Sequence, residues 1–356
     1  MRYVFKVRSA VSSAIAVVSL LFALGETSSG QARSTAYRAP RQTAENSRAT
    51  GGGQSEQSAE LGGAKSLIEK GEFDQAEGVV RQFLGEHGNS AEAHFVLGYI
   101  LFREIQTKAS LEGHTDSKFE EQKAKASLAE YREGVKYQPP SAADLKTVAL
   151  DYVLLHDYVD ADKWLTRSLE WNPKDSDGWY YLGRTKYNEN RFEEAISAFE
   201  KCLKLEPRNV KAEDNIGLSY AGLGRVQDAT AAYHSAINWQ ERDLNQDSGP
   251  FTHLGALLLD QNRPQEAVSY LLHAVAISPQ ESRAHEQLGK AYEHLDQLTK
   301  AQSEFEKAVE LAPEDARLLY VLGQVYREEG LREKAKFEFD RSTALRRDSP
   351  SEGRNP

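Results

Sequence analysis

The 356-residue sequence holds one cysteine, Cys202, so no internal disulfide can form, and no CxxC pair or Cys/His cluster is present to hold a metal. No GxxxxGK[ST], GxSxG, HExxH or GxGxxG segment occurs, which removes the common phosphate-cradling, nucleophile-elbow, zinc-peptidase and dinucleotide signatures. Nine histidines are scattered; His285 and His294 lie nine residues apart, more than two helical turns, so they do not read as a metal pair. Positive charge is also short. The formal net charge is -10, and without Arg2, Lys6 and Arg8 of the first 25 residues it is -13. A binder of nucleic acid backbones needs a clustered basic surface, so that partner is not expected. The one long apolar run, about Ala10 to Leu24, falls short of the roughly 20 residues that span a bilayer. It follows a basic start and precedes Ala23-Leu24-Gly25 and small polar residues, the order of a secretory signal. Residues 1–25 are therefore expected to be a signal peptide or an N-terminal anchor, and the mature chain to be exported, periplasmic or secreted. No cysteine follows the run, so a lipid anchor is unsupported. Residues 26–56 lack periodic apolar positions and read as a disordered linker, and 348–356 as a disordered tail.

What is abundant is repetition. Gly323, Gly289 and Gly255 are 34 residues apart; after a step of 38, Gly217 and Gly183 resume the step, with Ala149 34 further back. A step of 51 leads to Gly98, and Ala64 lies another 34 upstream. A period in the 20–50 range means stacked units that bury their apolar faces only against neighbours. In Ser176–Pro207, Trp179, Leu182 and Lys186 share a helical stripe beside Gly183. Glycine inside a helix costs roughly 1 kcal/mol, so a second helix is expected to approach closely there. That helix supplies Ala195, Phe199 and Cys202 on one face, with Cys202 a small packing residue. Asn190 suits the left-handed turn between the helices, and Pro207 stops the second.

The other units keep this logic. Counting Ser176 as position 1, position 15 is Gly71, Asn190, Gly224, Asn262, Asp296 and Gly330, with His156 a break in the third unit. Position 20 is Ala76, Ala161, Ala195, Ala229, Ala267, Ala301 and Ala335, with Ser127 in the second, and position 24 is bulky throughout. Two irregularities stand out: 17 extra residues in the second unit and four before the sixth. In the former, Ser117-x-x-Glu120 fits a capping box, so a long helix is expected from near Lys118 and a protruding loop over Thr107–Asp116. The insertion is either an extra contact element or a tolerated surface feature. In the last unit Lys336 and Thr343 replace apolar residues of earlier units, which suits a stack ending in water.

Leu288-Gly289-x2-Tyr292, Ala301, Phe305, Ala308 and Pro313, and again Leu322-Gly323-x2-Tyr326, Ala335 and Phe339, resemble the tetratricopeptide repeat. The resemblance covers about 57–347, as eight repeats: 57–90, 91–141 with an insertion near 105–124, 142–175, 176–209, 210–247, 248–281, 282–315 and 316–349. It implies an all-α fold, helix–turn–helix repeats stacked in a right-handed superhelical solenoid, with no cofactor and no metal. It also implies a groove lined by the first helices. Carried onto this sequence, the groove residues are Phe95, Tyr99, Phe102, Tyr180, Tyr181, Arg184, Tyr187, Asn188, Asn215, Arg283, Lys290, Arg317, Tyr320 and Arg327. Apolar ligand residues are expected to meet Tyr180, Tyr181 and Tyr187, and acidic ones Arg184, Arg317 and Arg327. Only Asn215 falls at a place resembling the Lys/Asn clamp of chaperone-binding relatives, which argues against that role. The resemblance implies a non-enzymatic scaffold for a protein or peptide ligand, a monomer or weak homo-oligomer. The alternative is an accessory protein for polysaccharide export or glycan binding in the cell envelope.

Overall fold

The computed structural model describes residues 53–112 and 117–348, and every regular element among them is an α-helix. The chain divides into two compact units, one through Lys174 and one from Asp175. Residues 1–25, on which the signal reading rests, lie outside the described residues, as do most of the linker and the tail.

The first unit holds three helix pairs: α1 (Gly53–Glu69) with α2 (Phe73–Glu86), α3 (Ala91–Glu112) with α4 (Ser117–Gly134), and α5 (Ala142–Leu154) with α6 (Tyr158–Trp171). The second holds five: α7 (Ser176–Asn188) with α8 (Phe192–Leu205), α9 (Val210–Gly222) with α10 (Val226–Trp239), and α11 (Gly249–Asp260) with α12 (Pro264–Ile277). Then come α13 (Ser282–Glu293) with α14 (Leu298–Leu311), and α15 (Ala316–Glu328) with α16 (Arg332–Asp348). Within each unit the second helix of one pair packs on the first helix of the next, so burial is shared only between neighbours. Each unit is an all-α repeat solenoid.

Position 8 explains the pairing. A Cβ on Gly183 would lie 2.6 Å from the Phe199 ring, and one on Gly323 2.7 Å from the Phe339 ring. The bulky residue at position 24 thus occupies the space that glycine leaves. The close approach expected beside Gly183 is made by Phe199 of the second helix. Phe199 is fully buried in this way, worth roughly 2–3 kcal/mol of transfer free energy.

Outside the α3–α4 pair, the turn inside each pair is also uniform. Asn190, Asn262 and Asp296 are left-handed at φ 60°, 57° and 56°, as are Gly71, Gly224 and Gly330. His156, which looked like a break, has φ 46° and makes the same closing bonds: its N–H donates to the Val153 carbonyl and Asp157 N–H to Tyr152. The backbone geometry is set by the two helices it joins, and histidine tolerates it better than most side chains. Four first helices, α5, α7, α9 and α15, start on side-chain caps: Ser141 forms a capping box with Asp144, and Asp175, Asn209 and Asp315 accept from backbone N–H groups in the first turn.

The insertion in the second pair lengthens both helices. α3 has 22 residues and α4 has 18, against 13 and 14 in α7 and α8. Thr107–Glu112, expected as loop, is helical, because the added residues continue α3 instead of looping out; residues 113–116 lie outside the described residues. At the other end, α16 exposes Lys336 and Thr343, together with Phe337.

Candidate functional site

In the second unit the first helices of successive pairs also touch one another, α7 with α9, α9 with α11 and α11 with α13. This brings positions 5, 6, 9 and 12 of different repeats onto one face. On α7, the Tyr180 ring packs tilted on Phe199 (5.8 Å between centroids) and edge-on to Tyr181 (5.6 Å), with the Arg184 guanidinium 6.0 Å from its centre. Tyr187 meets Phe192 edge to face at 5.4 Å. Burial pushes the hydroxyls of Tyr180 and Tyr187 above the ordinary tyrosine range; the Arg184 charge opposes this at Tyr180 and the Arg283 charge at Tyr187. Arg283, three repeats on, therefore reaches the field of Tyr187.

Between them lies Asp214, buried, with both carboxylate oxygens 2.9 and 3.0 Å from Nδ1 of His253. Asp247, whose Oδ1 accepts from the Gly249 N–H (2.8 Å), stands on the same side. Tyr180 feels the negative charge of both aspartates, and Tyr233, raised chiefly by burial, that of Asp214 with the opposing charge of Arg283. Aromatic rings, two arginines and a buried Asp–His pair therefore converge from α7, α9, α11 and α13. Asp247 was missed in the sequence because it sits in the longer connection before α11, outside the repeat register.

The remaining groove residues fare differently. Asn188 and Arg327 are exposed, and Tyr320 is 41% exposed with its ring 5.3 Å from Phe339. Asn215 is buried, and its amide nitrogen donates to the Lys211 carbonyl of its own helix. Arg317 forks onto Glu286, with Nη2 2.8 Å from Oε2, and approaches Asp315 at 3.3 Å, while Lys290 meets the same Glu286 at 2.6 Å. Arg317 thus neutralises a buried carboxylate rather than offering itself to an acidic ligand.

In the first unit, Tyr99 is half-buried and its hydroxyl accepts from Arg103 at 2.7 Å. Phe95 and Phe102 are buried in the core, against the expectation that they line a groove. The Phe95 ring fills the notch at Gly134 and stacks on Tyr131 at 5.8 Å. Cys202, Ala236, Ala274 and Ala308 stand there in four other repeats, Ser168 and Ser342 in two and Phe83 in the first; the glycine is the signal that a large ring packs inward. Sequence reading also missed a half-buried charge cluster here. Lys123 bridges Glu77 (3.0 Å) and Glu104 (2.5 Å), and Glu77 also accepts from Arg81 at 2.6 Å. Burial drives Glu104 up to about 7, while the hydrogen bonds from Arg81 and Lys123 overcome burial at Glu77 and take it down to about 2.

Cys202 is fully buried, and burial pushes its thiol up to about 11, far from a nucleophile's range. Among the described residues no group of three His, Cys, Asp or Glu could hold a metal ion, and no helix is long and apolar enough to cross a membrane.

An array of paired helices, with interaction side chains gathered on the first-helix face, defines an α-helical repeat scaffold. Sequence profiles described as tetratricopeptide repeat match residues 61–105, 176–209, 251–278, 282–315 and 316–349. The chain is a tetratricopeptide-repeat protein. Over 74 residues it is 39% identical to a peroxisomal targeting signal receptor of Kluyveromyces lactis, which covers 21% of this chain and 13% of the receptor. Over 162 residues it is 26% identical to the DnaJ homolog subfamily C member 7 homolog of Schizosaccharomyces pombe, covering 42% of this chain and 34% of that protein. The chain thus spans a minor part of either relative's length. Among solved structures it is similar to the APC/C hetero-tetramer Cut9–Hcn1, with a TM-score of 0.54 at 16% identity over 82% of this chain and 53% of that one, a likeness of fold.

Proposed function

We propose that the chain is a non-enzymatic scaffold that binds an extended segment of another protein on the first-helix face of its second unit. The observation that carries this is the convergence of Tyr180, Tyr181, Arg184, Tyr187, Asp214, His253 and Arg283 from four helices. Aromatic rings and arginines are the side chains that most often dominate interface energies. The face offers rings for apolar ligand residues, and Arg184 and Arg283 for acidic ones. A receptor for a targeting signal among the relatives supports a protein ligand. The order of residues 1–25 supports an exported location.

Selection of displayed random peptides on the full chain supplies the probe. The triple substitution Tyr180→Ala, Arg184→Ala, Tyr187→Ala is expected to weaken the selected peptides at least tenfold with helicity unchanged. Undiminished binding overturns the assignment. Binding to arrayed glycans but to no peptide would replace it with the carbohydrate reading.

A further inference from the structure

The lengthened α3–α4 pair forms a cleft with its neighbour. The extra turns stand beside the α1–α2 turn, and the step between them is a cleft of about 510 Å³. Its floor and walls are Phe73, Glu104, Lys108, Phe119 and Lys123, with Glu72 and Asp74 at the rim. Glu104 is 7% exposed, and its Oε1 has no hydrogen-bond donor. The one ammonium that reaches it, Lys123, is shared with Glu77. Glu77 has Arg81 as well, whereas Glu104 has only its share of Lys123, so burial, incompletely opposed by that ammonium, raises Glu104 to about 7. The other cations nearby are on the aromatic walls: Arg103 lies 5.1 Å over Phe73 and Lys108 4.1 Å over Phe119. The walls thus attract positive charge, and the floor has a carboxylate oxygen to give it.

A planar cation with several donors suits this place better than a point charge, because it can bond Oε1 while lying against a ring. The chain carries such groups close by. Between Arg33 and Arg48 there are four arginines and one acidic residue, Glu45, whereas Gly53–Lys174 has 21 acidic residues against 14 Lys and Arg. Reach selects among them. The cleft lies at the far end of α1, whose 17 residues span about 25 Å. Arg48, five residues before Gly53, extends at most about 17 Å; Arg41, twelve before, extends about 40 Å.

We propose that the cleft between the α1–α2 turn and the lengthened α3–α4 pair is a binding site for an arginine side chain, occupied by the chain's own segment 33–48 through Arg38 or Arg41. This does not depend on the function assigned to the second unit.

Hydrogen–deuterium exchange on the full chain tests it. Arg38→Ala with Arg41→Ala is expected to raise exchange at least threefold over 71–77 and 104–112, with α7–α16 unaffected. Arg48→Ala should leave exchange as in the wild type. Glu104→Gln, which keeps shape and removes the charge, should reproduce the double variant. A synthetic peptide of residues 31–50, added to the double variant, should restore protection. Exchange in the double variant equal to wild type overturns the proposal. So does an equal effect of Arg48→Ala, or protection by an unrelated arginine peptide but not by residues 31–50.

Discussion

Two buried glutamates, one in each unit, behave in opposite ways. Glu286 in α13 and Glu104 in α3 are both nearly inaccessible, yet Glu286 titrates below the usual carboxylate range and Glu104 rises to about 7. Burial alone pushes both up. The difference is the number of cations: Glu286 has the forked guanidinium of Arg317 and the ammonium of Lys290, whereas Glu104 shares Lys123 with Glu77. A buried carboxylate is tolerated when its charge is matched and stays protonated when it is not. In the second unit the match ties α13 to α15, one repeat to the next. In the first, the shortfall marks the cleft beside the insertion.

The largest way to break this contrast is Arg317→Ala, which leaves Glu286 with Lys290 alone. Loss of one partner of a buried pair is expected to destabilise the chain by about 2 kcal/mol at pH 7, less than a fully buried pair because Arg317 is partly exposed. Chemical denaturation followed by circular dichroism measures it, and a loss that persists undiminished at pH 4 would mean packing rather than charge. Next is Lys123→Met. Both carboxylates then lack their shared ammonium, and a loss of about 1–2 kcal/mol is expected at pH 8, with less at pH 5, where Glu104 is already protonated.

In a chain carrying Arg38→Ala and Arg41→Ala, where no arginine reaches the cleft, Glu104→Gln should act with the opposite sign. A carboxyl raised in the folded state binds its proton more tightly there, so its contribution is full below the unfolded value near 4.5 and declines as pH rises to about 7. The variant is expected to lack that decline and to gain up to about 1 kcal/mol at pH 8. A double Arg38→Ala, Arg41→Ala variant whose stability does not fall between pH 5 and 7 would contradict the cation count. Smallest is His285→Gln. Nδ1 of His285 faces Glu304 at 2.7 Å and Nε2 faces the Pro279 carbonyl at 3.2 Å, so both nitrogens have acceptors and the imidazolium is favoured. The hydrogen bond to Glu304 is the main cause of its raised value. Its contribution is complete below about 6.5 and is lost as pH rises through the folded value. About 0.5 kcal/mol of difference from the variant is expected at pH 6, vanishing at pH 9.

How legible this was differs by residue. Gly183 announced a close approach, and position 24 was known to be bulky, but only packing joined them as notch and ring. Ser127, the odd residue at position 20, is explained by Asp151. Its hydroxyl lies 2.9 Å from the Gly98 carbonyl and 2.5 Å from the Asp151 carboxyl, and burial holds Asp151 far above the usual range. One hydroxyl proton cannot serve both acceptors, so Asp151 brings its own. Phe95 was misplaced because a repeat register says which way a Cβ points, not whether a notch such as that at Gly134 lies beneath it.

Sequence alone determined the repeat, its left-handed turns and the helix pairs, because these depend on local backbone preferences and on a periodic apolar stripe. Tertiary structure decided the rest. It extended the insertion along α3 and α4, and it set Asp247 beside Asp214 and Arg283 near Tyr187. Charges far apart in the chain acquire their properties from which neighbours burial assigns them, and a single repeat period carries no record of that assignment.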